Sequence, residues 1–87
     1  MDLKLYSTIE CPYCNQLKKI LDLLHIHYID INVDDPQNQK EYENVVTIVD
    51  HFFIPVIKIG DQYLSPNKDF KSMPEAANIV FKMLKSR

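Results

Sequence analysis

With 87 residues, 46% of them hydrophobic, and a net charge of −2, the chain can bury one small core as a single domain over residues 1–87. The hydrophobic fraction excludes wholesale disorder, and the interspersed charges exclude the clustered basic face of a nucleic-acid binder. No stretch approaches the roughly 18 apolar residues of a membrane span. The opening MDLKLYSTIE has no basic segment leading into an apolar one. No secretory leader is therefore expected, and the expected location is the cytoplasm, where thiols stay reduced.

Leu3 and Leu5 alternate with Lys4 and Tyr6, a period of two that predicts a first strand ending near Ser7. Pro12 suits the first turn of a helix, and Cys14, Leu17, Leu21 and Leu24 repeat at helical spacing with Ile20 beside them, predicting a helix from Pro12 to Leu24. HYIDINV then alternates as a second strand with Ile29, Ile31 and Val33 expected on its buried face. Asp35-Pro36 predicts an N-cap followed by proline at the first helical position. Tyr42, Val45, Val46 and Val49 carry that second helix to about Asp50. A third strand, Val56 to Ile59, opens directly after Pro55. Gly60-Asp61 predicts a type II′ hairpin into a fourth strand, Gln62 to Ser65. SPNKDFK reads as a turn or a short helical segment. Ser72-Met73-Pro74-Glu75 then reads as a capping box for a last helix whose apolar face is Ala76, Ala77, Val80, Phe81 and Leu84. The basic KMLKSR at its end suits the C-terminal pole of the helix dipole. The element order is β-α-β-α-β-β-α, an α/β domain without repeats or linkers.

Cys11 and Cys14, the chain's two cysteines, stand three residues apart at the start of the first predicted helix. A structural disulfide closing so short a loop would constrain the unfolded chain little. Structural zinc needs four ligands, and beyond this pair the chain offers only His25, His27 and the distant His51. His25 at a helix end also serves as a dipole partner. As core residues the two differ. Cys14 shares the face of Leu17 and Leu21, whereas Cys11 precedes Pro12 at the helix N-terminus, where unpaired N–H groups and the positive dipole stabilise a thiolate. An exposed, activated thiol followed one turn later by a shielded one is the arrangement that thiol–disulfide exchange requires, the first attacking and the second resolving. Cys-x-x-Cys inside a βαβ pattern is a redox signature. The rival class is a non-catalytic module that binds a metal or a protein partner.

CPYC at 11–14, between LKLYS and NQLKKIL, resembles the dithiol glutaredoxins of the thioredoxin fold, and the resemblance extends over nearly the whole chain. It implies a four-stranded mixed sheet in the order 2-1-3-4 flanked by helices. FIPV at 53–56 falls where that family has its cis proline, so the resemblance implies a cis Pro55 facing the cysteines. The alternative is a trans proline opening a strand. Lys18 sits where the family's active-site helix commonly has a lysine. The implied roles are Cys11 as nucleophile and Cys14 as resolving thiol. Ile54 and Pro55 would position substrate, and Tyr13 would flank it or simply cover the rim with aromatic surface.

Two departures from the family pattern fall together. Glutaredoxins generally carry a lysine where this chain has Thr8, and a Gly-Gly pair where it has Ser65-Pro66. Ser-Pro allows neither the close backbone approach of glycine nor, at proline, an N–H donor. Asn67, Lys68 and Asp69 remain as candidate contacts for glutathione, which is expected as a co-substrate of weak or altered affinity rather than as a bound cofactor. No metal is expected, and the single-cysteine, cluster-carrying glutaredoxins are not a close match because Cys14 stands where they have serine. The expected activity is reduction of protein disulfides or glutathione mixed disulfides by a monomer, with no nucleic-acid or membrane partner. The alternative is a glutaredoxin-like donor to ribonucleotide reductase recycled by thioredoxin reductase. INVD and IPV are similar to that group, but its active-site pair is not usually CPYC and its C-terminal aromatic-Ser-Gly signature is absent here.

Overall fold

A computed structural model describes residues 3–51 and 53–86. In chain order the elements are β1 (Leu3–Ser7), α1 (Pro12–Leu23), β2 (Ile29–Asn32), α2 (Gln39–Val49), β3 (Val56–Ile59), β4 (Gln62–Leu64) and α3 (Met73–Lys85). The strands form one sheet in the order β2-β1-β3-β4. β1 runs parallel to β2 and antiparallel to β3, and β3 is antiparallel to β4. This is the thioredoxin fold in the strand order that the resemblance implies. Among the described residues no helix is long and apolar enough to cross a membrane.

The alternation of β1 divides the interior into two layers. Leu3 and Leu5 point to one face and join Leu17 and Leu21 of α1, Ile57 and Ile59 of β3, and Ala76, Ala77 and Val80 of α3. Tyr6 points to the other and joins Val33, Val56 and the α2 residues Val45 and Val49. At its rim the Tyr6 hydroxyl donates to Glu41 Oε2 at 2.6 Å, and Lys4 Nζ reaches the same oxygen at 3.2 Å. Leu21 is completely buried between α1, the sheet and α3. Leu21→Ala should therefore lower unfolding free energy by about 2–5 kcal/mol, read as a fall in the urea midpoint with unchanged slope.

Local signals set the element ends. Asp35 accepts from the Gln37 N–H at 3.0 Å as expected of a cap, but it caps a short 3₁₀ turn, Pro36–Asn38, which leads into α2 one residue later. α1 closes with paired bonds from the His25 N–H to Asp22 O (3.1 Å) and from the Ile26 N–H to Leu21 O (2.9 Å). His25 is left-handed there (φ 57°), the position where such caps usually carry glycine. Gly60 has φ 58° while Asp61 does not turn positive, as the type II′ hairpin requires, and Ile59 pairs with Gln62 across it. Ser72 Oγ caps α3 by accepting from the Glu75 N–H at 3.2 Å. The Glu75 carboxylate reaches back to the Lys71 N–H at 2.6 Å, one residue beyond the expected reciprocal bond. SPNKDFK forms a turn, with Pro66 bridged to Phe70.

Three expected core residues lie at the surface, the first being Leu24, which is the C-cap of α1 and 41% exposed. Ile29 shares a face with Ile31 and Val33, yet it is 49% exposed. Its neighbour across the ladder is Lys4, and the apolar layer under α2 ends at Ile31. Phe81 is 38% exposed with the Lys85 ammonium 5.3 Å from its ring centre, because Ala76, Ala77 and Val80 already fill the contact with the sheet. Arg87, part of the basic tail, lies outside the described residues.

Candidate active site

The segment from Thr8 to Cys11 carries the chain from the end of β1 onto the N-terminus of α1, with Cys11 as the N-cap in extended conformation (φ −91°, ψ 113°). Proline at the next position supplies a helical φ and has no N–H to leave unpaired. Cys11 Sγ accepts a hydrogen bond from the Cys14 N–H at 3.2 Å, so the sulfur occupies the place that a serine or aspartate oxygen takes at an ordinary cap. Its carbonyl accepts from the Asn15 N–H at 3.0 Å, and the Asn15 side chain ties back to Ile9 O at 3.0 Å. Both cysteines are free thiols, Cys11 partly exposed and Cys14 fully buried.

Burial pushes the Cys14 thiol up to about 12, and its hydrogen bond and charge interaction with Cys11 act in the same direction. Two groups oppose this, the backbone N–H of Thr8 donating to the Cys14 sulfur and the ammonium of Lys18. Lys18 follows Cys14 by one turn of α1, and its Nζ lies 3.0 Å from Asp30 Oδ2 on β2. The other Asp30 oxygen accepts from the buried Ser7 Oγ at 2.7 Å.

The Ile54–Pro55 peptide is cis, as the resemblance implies, and Pro55 is fully buried. A cleft of about 310 Å³ lies along this surface, lined by Tyr13, Phe53, Ile54, Pro66, Asn67, Lys71 and Met73. Tyr13 is 64% exposed at its edge and, standing between the two cysteines in the chain, connects them to it. Of the residues singled out from the sequence for substrate contact, Tyr13, Ile54 and Asn67 line this cleft, whereas Pro55, Lys68 and Asp69 do not.

Asp69 is occupied in closing its own turn, with Oδ2 accepting from the Ser65 N–H at 2.9 Å and from Ser65 Oγ at 3.4 Å. The other donors of that turn are also committed. The Asn67 N–H bonds to Phe70 O at 2.8 Å, the Lys68 and Asp69 N–H groups bond to Ser65 O at 3.4 and 3.0 Å, and Pro66 has none. The turn returns the chain so that Lys71, not Lys68, supplies the cation at the cleft. Phe53, Lys71 and Met73 were not singled out from the sequence, and Pro66 was read only as a replaced glycine, because the cleft joins the segment before β3 to the turn before α3. Among the described residues no group of three or more His, Cys, Asp or Glu side chains is disposed to hold a metal ion.

A family model described as Glutaredoxin matches residues 3–64. A glutaredoxin-like 8.6 kDa protein of the rubredoxin operon of Clostridium pasteurianum is 37% identical over 57 residues, covering 66% of this chain and 73% of that protein. The crystal structure of wheat glutaredoxin superposes with a TM-score of 0.73 at 19% identity, over 98% of this chain and 77% of its own. The glutaredoxin-like NrdH-redoxin of Escherichia coli superposes with a TM-score of 0.68 at 21% identity, over 92% of this chain and 95% of its own.

Proposed function

Because the chain belongs to the glutaredoxin family, a group of thioredoxin-fold redox proteins, we propose that it reduces disulfides by dithiol exchange through Cys11 and Cys14. The observation that carries this reading is the asymmetry of the pair, a partly exposed Cys11 capping α1 with Cys14 buried directly behind it. Cys11 Sγ attacks one sulfur of a substrate disulfide, that S–S bond breaks, and the other substrate sulfur leaves as a thiolate and takes up a proton. Cys14 loses its proton to solvent and attacks Cys11 Sγ. The mixed disulfide breaks, the second substrate sulfur leaves as a thiol, and a Cys11–Cys14 disulfide remains. Two electrons have passed from the pair to the substrate. Ile54 and Pro55 would position the substrate backbone, with Tyr13 flanking it. The domain would act as a monomer in the reducing cytoplasm.

The electron donor is the open part of this reading, and the closed turn from Ser65 to Phe70 bears on it. In the family the Gly-Gly pair and the residues after it present backbone donors to the γ-glutamyl end of glutathione. Here each corresponding donor is missing or already bonded within the turn, and Asp69 faces inward. Asn67 and Lys71 remain at the cleft as contacts for a carboxylate. Glutathione therefore serves as a weak co-substrate. The same observation favours the second reading, recycling by thioredoxin reductase with a protein substrate such as ribonucleotide reductase.

Turnover of a protein disulfide, measured side by side with glutathione plus glutathione reductase and with NADPH plus thioredoxin reductase, tests the proposal. Activity with either supports exchange, and inactivity with both overturns it. Pro66→Gly, which restores one donor and permits close approach, should lower KM for a glutathione mixed disulfide by about fivefold, the worth of one net hydrogen bond of about 1 kcal/mol.

A further inference from the structure

Resolution asks of Cys14 what its surroundings oppose. The thiol is fully buried, yet it must become a thiolate to attack. Once Cys11 is tied into a mixed disulfide, its negative charge no longer acts on Cys14. Of the influences named above, those of the Thr8 backbone and the Lys18 ammonium remain to favour the thiolate.

Lys18 is not a free surface lysine. It stands at i+4 from Cys14 on the same side of α1, its side chain is 19% exposed, and its ammonium is clamped at 3.0 Å by Asp30. Asp30 in turn is held by the buried hydroxyl of Ser7 at 2.7 Å. Ser7 immediately precedes Thr8, so adjacent residues at the end of β1 hold the carboxylate that fixes the ammonium and supply a backbone group that favours the Cys14 thiolate. A solvated ion pair on this surface would add little to stability, about 0–1 kcal/mol. With Lys18 19% and Asp30 43% exposed, the pairing instead holds the ammonium in one place on the Cys14 side of α1. Other ionisable groups at this cluster include Cys11, Tyr28 and Asp22. Tyr28 stays neutral to higher pH than an ordinary tyrosine because of burial first, and Asp22 and Asp30 second.

Resting on the dithiol reading above, we propose that Lys18, positioned by Asp30 and Ser7, is the counter-charge to Cys14 in the resolving step. Its ammonium compensates the negative charge that forms on Cys14 Sγ as the proton leaves to solvent. It goes on doing so until that sulfur bonds to Cys11 Sγ and the substrate sulfur departs with the electron pair and takes up a proton. Lys18 makes no bond to substrate and exchanges no proton, so it is a positioning residue acting through charge.

Stopped-flow reaction of the reduced chain with dithiobis-nitrobenzoate tests this. One thionitrobenzoate is released when Cys11 attacks, and a second when Cys14 resolves the resulting mixed disulfide. Lys18→Met is expected to slow the second release at neutral pH by about tenfold or more and to displace its pH–rate curve to higher pH, with the first release unchanged. Lys18→Arg, which keeps the charge, is expected to restore both. An unaltered second release in Lys18→Met overturns the assignment, as does a slowing that Lys18→Arg fails to relieve, which would mark a packing role. The first release reads the exchange function separately. Were it no faster than a small free thiol, the dithiol reading would fall, while the mixed disulfide, once formed, would still report on Lys18.

Discussion

Replacing Cys11 by serine reduces disulfide exchange to the uncatalysed background with every donor, while the fold remains intact. The two halves of that result have separate causes. Serine is among the best N-cap residues, and its oxygen can accept the Cys14 N–H that Cys11 Sγ now accepts at 3.2 Å. The cap is therefore kept, and the thermal midpoint should move by no more than about 1 kcal/mol would cause. A serine hydroxyl, however, is neither ionised at neutral pH nor able to form a disulfide, so no mixed disulfide arises for Cys14 to resolve. Turnover assays beside a thermal melt check both halves. Residual exchange above background in Cys11→Ser would remove Cys11 from the mechanism.

Cys14→Ser divides the activities instead of abolishing them. Turnover of glutathione mixed disulfides should persist, because free glutathione can release the product from Cys11. Reduction of protein disulfides should stop at a covalent complex between Cys11 and the substrate, visible by mass spectrometry under non-reducing conditions. In the unaltered chain Cys14 is a thiol at neutral pH, since burial pushes it up to about 12 in the free dithiol. The resolving rate should rise about tenfold per pH unit for as long as Cys14 in the mixed disulfide remains mostly a thiol. The Cys14→Ser chain loses this dependence and follows the ionisation of the external thiol. Serine at a fully buried position costs stability as well, about 1–3 kcal/mol for a hydroxyl with incomplete hydrogen bonding. An unchanged rate of protein disulfide reduction in Cys14→Ser would mean that resolution does not run through Cys14.

What could be read before the structure was whatever depends on short-range order. The asymmetry of Cys11 and Cys14 is a property of one helix end, fixed by Pro12 and by the Leu17/Leu21 face, and it is legible in a dozen residues. The strands, the Gly60 turn and the Ser72 cap are likewise local. Burial of Ile29 and Phe81 was misjudged because periodicity gives a residue's face but not how far the opposing layer extends along it. The pairing of Lys18 with Asp30 depends on β2 lying parallel beside β1, which brings together residues from separate elements. The composition of the cleft depends on a turn that Asp69 closes from within, which brings Lys71 to the lining while Lys68, a candidate contact from the sequence, does not line it. Charges near a glycine-poor loop were visible, but their directions were not.

The left-handed cap at His25 has a consequence for the opposite end of α1. With the His25 and Ile26 amides bonded back into the last turn and Ile26 seated in the core, the helix is moored at its tail and cannot slide along its axis without breaking those bonds. Joining the two sulfurs must still draw Cys11 toward Cys14. The slack for that movement lies in the Thr8–Cys11 segment, which is outside any helix and is tied to α1 by the Asn15 side chain through Ile9 O. A Cys11–Cys14 disulfide would on that basis close by flexing of the lead-in against a fixed helix, with the two core layers undisturbed.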